Sequence, residues 1–323
     1  MDFVSEYAER VLSGENLGAR EGIRLYEEAP LERLCALANE LRERICGNRF
    51  DLCSIVNGKN GRCTENCKFC AQSSFARATI AEHSLLSVEE FVSAAKRAAE
   101  RGVARFSIVT AGRKLARAEL SRVCEAIRRI RAETSLAVCG SLGLLDASEF
   151  AELRAAGMTR AHNNLETSRR FFPQICTTHT YDEKLSSLRA AREAGLSLCS
   201  GGIFGMGETI ADRVDMALTL RALEVESIPI NILNAIPGTT LGTSSLRPLT
   251  SADARRLVAV FRFLTPRASI RLAGGRTLLS DLGVGCFSSG ANATITGDML
   301  TTVGADARTD KRVVESLGYK TED

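Results

Sequence analysis

From about residue 52 the chain alternates short apolar runs with amphipathic ones, and it does so eight times. The runs near 52–57, 105–110, 136–141, 159–164, 196–203, 227–233, 269–273 and 293–296 have strand character. Helical spacing fills the gaps. One helix spans 87–101, with Ser87 as N-cap and Glu90 three residues on, and another spans 251–263. Repeated strand–helix units require a parallel sheet. Eight of them in 323 residues predict an α/β fold, a (β/α)8 TIM-type barrel, in preference to an open doubly wound sheet. Barrels of this kind carry their sites at the C-terminal ends of the strands. Residues 1–50 read as helices: Leu31, Leu34, Leu37, Ala38, Leu41 and Ile45 recur at helical spacing, Pro30 suits a first turn and Gly47 stops the helix. The expected organisation is an N-terminal helical cap, 1–50, and a barrel with its C-terminal segment, 51–323, as one domain overall.

Inside this frame the most specific stretch is the loop after the first strand, where Cys63, Cys67 and Cys70 stand at C-x-x-x-C-x-x-C spacing with Phe69 before the last. Thiolates are the preferred ligands of iron–sulfur clusters and of zinc. Both commonly take four protein ligands, and the loop has three. Either a distant residue completes the set, Cys53 and His83 being nearest in sequence, or the fourth position is left open for a substrate or cofactor. Paired cysteines are often only buried small residues, but three at this spacing make that the weaker reading.

Eleven cysteines, an odd number behind an acidic start unlike a signal peptide, predict free thiols in a reducing compartment, hence a cytoplasmic protein. Cys35, Cys46, Cys124 and Cys176 read as packing residues. The chain is 45% hydrophobic and 25% charged, with a net charge of +3 and mixed signs throughout. It can bury a large core, and neither a nucleic-acid groove nor a membrane surface is indicated. No apolar run approaches the roughly 18 residues of a membrane span. Three strand residues stand apart: Cys139 on the third strand, Cys199 on the fifth and Arg271 on the seventh. Singly each reads as a buried thiol or an ion-paired arginine. On strands facing one lumen, they can together hold a second cluster.

The cysteine loop resembles that of the radical S-adenosylmethionine (SAM) superfamily, in which three cysteines hold a 4Fe–4S cluster and SAM takes the fourth iron. Further stretches resemble the biotin synthase family in order along the chain: 61–63 and 70–73, Asn163, Asn164 and Glu166, then 177–181, 198–209, 227–231, 290–292 and 301–302. The resemblance implies a homodimeric radical SAM barrel that inserts sulfur into dethiobiotin, with a flavodoxin or ferredoxin as electron donor. It implies the 4Fe–4S cluster on Cys63, Cys67 and Cys70, and an auxiliary cluster, 2Fe–2S or a larger variant, on Cys139, Cys199 and Arg271. The implied cofactor contacts are Phe69, Asn164, Glu166, Lys184, Gly205 and Glu208. The implied substrate contacts are Lys59, His162, Asn164, Asn231, Thr301 and Thr302.

The chain departs from the family pattern at Ser107, where better-known members carry a further cluster cysteine. Iron–sulfur clusters favour thiolate over alkoxide, so the auxiliary site is expected to differ, with Cys53 on the first strand a candidate ligand. His162, Glu166 and Lys184 replace the common Asn, Asp and Arg. Two other readings stand beside this one. One is a sister radical SAM enzyme, like the iron–iron hydrogenase maturase or methylornithine synthase. The other is a zinc-stabilised or redox-sensing thiol protein.

Overall fold

Period-two runs flanked by capped helices close here into a cylinder of parallel strands. The computed structural model describes residues 2–297, 299–300, 302 and 304–321. Among them the strands are β1 Arg49–Lys59, β2 Arg105–Thr110, β3 Ala137–Ser141, β4 Met158–His162, β5 Ser197–Cys199, β6 Gly202–Phe204, β7 Ser227–Ile232, β8 Ser269–Leu272, β9 Ala293–Ile295 and β10 Lys320–Thr321. The order β1-β2-β3-β4-β5-β7-β8-β9 returns to β1 through Asp51↔Ala293, Leu52↔Thr294 and Cys53↔Ile295, which closes the barrel.

The run near 196–203 is not one strand. It breaks into β5 and β6, which together form a single stave against β7. The cause is a close approach at Gly201, where a Cβ would lie 1.9 Å from the Pro229 carbonyl oxygen. Another element has no sequence signal: β10 pairs with the start of β1 through Arg49↔Lys320 and Phe50↔Thr321.

The helices are α1 Phe3–Leu12, α2 Ala19–Glu28, α3 Leu31–Cys46, α4 Val88–Glu100, α5 Arg117–Glu133, α6 Ala147–Ala155, α7 Tyr181–Glu193, α8 Ile210–Ala222, α9 Ser251–Leu264, α10 Val284–Phe287 and α11 Ala307–Ser316. Several that follow strands start on reciprocal caps. Ser87 Oγ accepts from Glu90 N at 3.2 Å while the Glu90 carboxylate accepts from Ser87 N at 2.7 Å. Thr180 with Glu183, Thr209 with Asp212 and Thr250 with Asp253 repeat the device. Each such cap contributes about 1 kcal/mol and fixes where the chain leaves the barrel mouth.

The core lies between strands and helices, with Phe50, Phe91, Phe106, Phe261 and Phe287 fully buried in it. Helix α3 packs along α9, and α2 along α8 and α9, so the N-terminal segment flanks the helical layer. Among the described residues no helix is long and apolar enough to cross a membrane.

Candidate active site: a two-tiered cavity of thiols

The lumen opens into a cavity of about 410 Å³. Its upper tier is the loop after β1, carrying Cys63, Cys67, Phe69 and Cys70. The backbone fixes this loop before any ligand arrives. Asn66 Oδ1 accepts from Thr177 N at 2.9 Å and Thr178 N at 3.2 Å, and Lys68 N donates to Ile175 O at 3.0 Å. Phe69 packs against Ile175, Met206 and Leu241, a small apolar cluster at the mouth. Burial pushes the Cys70 thiol up to about 11. Cys67 is pushed up mainly by its hydrogen bond to Cys176 and then by burial.

Beside the loop stands a polar wall from β4 and α7. Asn163 Oδ1 accepts from Lys184 Nζ at 3.1 Å, and Asn164 Oδ1 accepts from Gly201 N at 3.0 Å. Glu166 is held at φ +69°, and burial raises its carboxyl despite Lys184 nearby. Asn163 Nδ2, Glu166 Oε2 and His179 Nε2 are buried without a hydrogen-bond partner among the described residues. Such orphaned atoms cost about 1–3 kcal/mol each unless a polar ligand meets them. Both donor and acceptor atoms line this wall of the cavity, as a zwitterionic nucleoside such as SAM requires.

The lower tier is the barrel interior. Cys53 of β1, Ser107 of β2, Cys139 of β3, His162 of β4, Cys199 of β5 and Arg271 of β8 all line it. Alternate staves point side chains into common layers, which brings these remote residues together. Burial pushes the Cys53 thiol up to about 12 and the Cys139 thiol up to about 11. Cys199 goes the other way. Burial opposes its ionisation, but His162, with Nδ1 3.2 Å from the sulfur, and the Arg160 and Arg271 guanidiniums bring it down to about 6. His162 itself is raised: burial works against its charge, and Cys199 outweighs burial. Three soft donors beside fixed positive charge suit an anionic iron–sulfur cluster.

Several expected site residues sit elsewhere. Lys59 does not line the cavity; its Nζ pairs with Glu119 at 2.7 Å. Gly205 and Glu208 also lie outside the lining. The Glu208 carboxylate accepts from Gly205 N at 2.9 Å and Met206 N at 2.7 Å, so it shapes the glycine turn. Asn231 lines the cavity with its amide engaged by Gly202 O and Gly274 N. Thr302 lines it as well, while Thr301 falls outside the described residues. His83 is exposed, pairs through its backbone with Asn60 and does not line the cavity. Arg271 donates to Asp51 Oδ2 at 2.6 Å, and Arg105 and Arg160 stand 3.6 Å from the same oxygen. Those three guanidiniums overcome burial and hold the Asp51 carboxyl at about 2.

Asp51, Arg105 and Arg160 carry no signal in the sequence, because only strand register makes them neighbours. Cys176 is also more than a packing residue. It lies against Cys67 together with His179, the three ligand atoms all within 4.8 Å of one another.

The Radical SAM superfamily model matches residues 59–220, and the Biotin and Thiamin Synthesis associated domain model matches 229–320. The biotin synthase of Brachyspira hyodysenteriae is 51% identical over 319 residues, covering 99% of this chain and 95% of that protein. Biotin synthase 2 of Corynebacterium diphtheriae is 50% identical over 321 residues, covering 99% and 96%. Among solved structures, a methylornithine synthase matches with a TM-score of 0.83 at 20% identity, over 98% of this chain and 97% of that one. The FeFe-hydrogenase maturase of Carboxydothermus hydrogenoformans matches with a TM-score of 0.82 at 18% identity, over 99% and 79%. At such identities the structural matches establish a common fold.

Proposed function

The chain belongs to the biotin synthase family of the radical SAM superfamily, and from that premise we propose how its residues divide the work of inserting sulfur into dethiobiotin. It is a radical SAM enzyme of sulfur transfer, since its 46–51% identity to curated biotin synthases over nearly the whole chain outweighs the distant fold relatives. One observation carries the division of labour: two separate sets of three thiols, one on a loop and one on strands, open on one cavity.

Cys63, Cys67 and Cys70 hold a 4Fe–4S cluster, and Cys139, Cys199 and Cys53 hold a second cluster. When bound, the first cluster with SAM supplies a 5′-deoxyadenosyl radical, and the second supplies the sulfur. The rest falls to side chains. Phe69 and the apolar cluster around it exclude water above the loop. Lys184, steadied by Asn163, meets the SAM carboxylate, and Glu166 accepts from a ribose hydroxyl. Asn164 reaches the cofactor edge from a position fixed by Gly201. Gly205 and Glu208 shape the adenine-side turn and act through it.

His162, Asn231 and Thr302 face the neutral ureido ring of dethiobiotin or its carboxylate tail. Ser107 stands opposite Cys139 in strand register, and its hydroxyl is not a ligand. Arg271, committed to Asp51, serves as a fixed charge beside the second cluster and not as a ligand. A flavodoxin or ferredoxin donor, a dimeric state and a reducing cytoplasmic setting complete the reading, the last in keeping with eleven unpaired thiols.

The test is anaerobic reconstitution with iron and sulfide, followed by Mössbauer spectroscopy and an assay of biotin and 5′-deoxyadenosine. Two cluster signals are expected, with biotin formed from dethiobiotin. A single 4Fe–4S signal accompanied by full biotin formation would remove the second cluster from this account.

A further inference from the structure

Against the cysteine loop lies another set of ligand types, of which only Cys67 has a part in sulfur insertion. Cys67, Cys176 and His179 converge within 4.8 Å. Cys176 Sγ stands 3.4 Å from His179 Nδ1, and the Glu65 carboxylate touches that same nitrogen. Cys176, His179 and Glu65 are only 3%, 7% and 7% exposed. A thiolate and an imidazole on one tetrahedral zinc-type ion stand about 3.5 Å apart, given bonds of about 2.3 Å and 2.0 Å. The separation present already meets that value. Glu65 is held in turn by Thr178 Oγ1 at 2.9 Å and Arg113 Nη1 at 3.4 Å, the outer partners that metal-bound carboxylates keep. Asn66 ties the two backbone segments together, so closing on an ion needs side-chain movement only.

We propose that Cys67, Cys176, His179 and Glu65 form a four-coordinate site for a single divalent ion of zinc type. The site shares Cys67 with the loop cluster assigned above, and for that clause alone it rests on the proposed function. Because one sulfur cannot serve both, the ion and the cluster exclude each other. An ion captured here must leave before the cluster can form.

The probe is Co²⁺, added anaerobically to the reduced, iron-stripped full-length chain. One equivalent should bind with tetrahedral d–d bands and thiolate charge transfer. Cys63→Ala and Cys70→Ala should keep these bands, whereas Cys176→Ala and His179→Ala should lose at least about tenfold in affinity. X-ray absorption on the zinc-loaded wild type, which needs no variant to fold, should give two sulfur and two lighter neighbours. Three sulfur neighbours, or bands lost in Cys63→Ala and kept in Cys176→Ala, would overturn the site. One equivalent of Zn²⁺ should also slow iron–sulfide reconstitution severalfold in the wild type and not in Cys176→Ala. If zinc leaves reconstitution unchanged, Cys67 is not shared: cobalt bands kept in Cys67→Ala would then overturn the ion site as drawn, whereas bands lost in Cys67→Ala would remove Cys67 from the loop cluster and leave the ion site standing.

Discussion

Cys53 and Ser107 occupy adjoining staves and both line the barrel interior, but only the thiol is a favoured cluster ligand. A cluster in the barrel interior therefore has three sulfurs available from β1, β3 and β5, Cys53 within reach of the Arg271 charge, Cys139 of Arg160 and Cys199 of both. Replacing Cys139 or Cys53 by Ala should remove the second cluster's iron and bring biotin to background. SAM cleavage should persist, because the loop thiols are untouched. Iron analysis with paired 5′-deoxyadenosine and biotin assays distinguishes this from loss of both products, which would mean the two tiers are not separable. On the polar wall, Lys184→Met removes a charged hydrogen bond worth about 1.5–3 kcal/mol, so SAM binding should weaken by roughly ten- to a hundredfold, measured as Kd.

The loop thiols were legible because they are neighbours in sequence and their spacing alone implies a shared centre. Cys139, Cys199 and Arg271 needed the barrel to be assumed first. Cys176 and His179 were not legible, since their contacts cross more than a hundred residues to Glu65 and Asn66. Arg160 reads from sequence as an ordinary strand charge. Only its register opposite Cys139 gives it a role.

At the scale of elements, the helix starts could be read and the strand break could not. A capping box is written within four residues, and Ser87 with Glu90 appears as expected at the head of α4. The split of β5 from β6 depends on Gly201 meeting Pro229 on another stave, which no local pattern encodes. Asp212 shows how one cap reaches beyond its own helix. Its carboxylate accepts from Thr209 N at 2.8 Å, Thr209 Oγ1 at 2.7 Å and Ser168 Oγ at 2.6 Å, and it pairs with Arg170. This binds the loop after β4 to the start of α8. Burial works to raise the Asp212 carboxyl, yet Arg170, Ser168 and Thr209 together hold it well below the usual range. A depressed folded value means the unfolded chain takes up its proton first, at about pH 3.9. The stabilisation is therefore complete above that pH and is lost as pH falls toward the folded value. Asp212→Asn should cost about 1–3 kcal/mol at neutral pH. Below about pH 5 its thermal midpoint should fall less steeply than that of the wild type, narrowing the gap. Parallel pH profiles would show that the carboxylate is not the group responsible.

For the whole molecule, the decisive event is closure of β9 on β1, which turns eight local repeats into one cavity. Each repeat announces itself in sequence and eight of them predict closure, but the ion pair behind the seam does not, because its partners lie 34 residues apart in the chain. Arg276 is buried there, donating to Thr294 Oγ1 of β9 at 2.7 Å and to Asp310 of α11 at 3.1 Å and 2.5 Å, with its guanidinium 5.6 Å from the centre of the Phe287 ring. Asp310 is 2% exposed, and so is Arg276. Removing one partner of such a pair strands a charge without water or counterion, which costs about 3–5 kcal/mol. Replacing both by apolar side chains of similar volume is often close to neutral. Asp310→Ala should therefore lower the denaturant midpoint markedly, and Arg276→Met combined with Asp310→Leu should recover most of the loss. Neither residue lines the cavity, so the iron content of the folded fraction should stay at the wild-type value in both variants. If the double variant proves as unstable as the single one, the pair itself fastens α11 to the seam. If iron falls in step with stability, closure of the barrel and assembly of its thiol tiers are a single cooperative event.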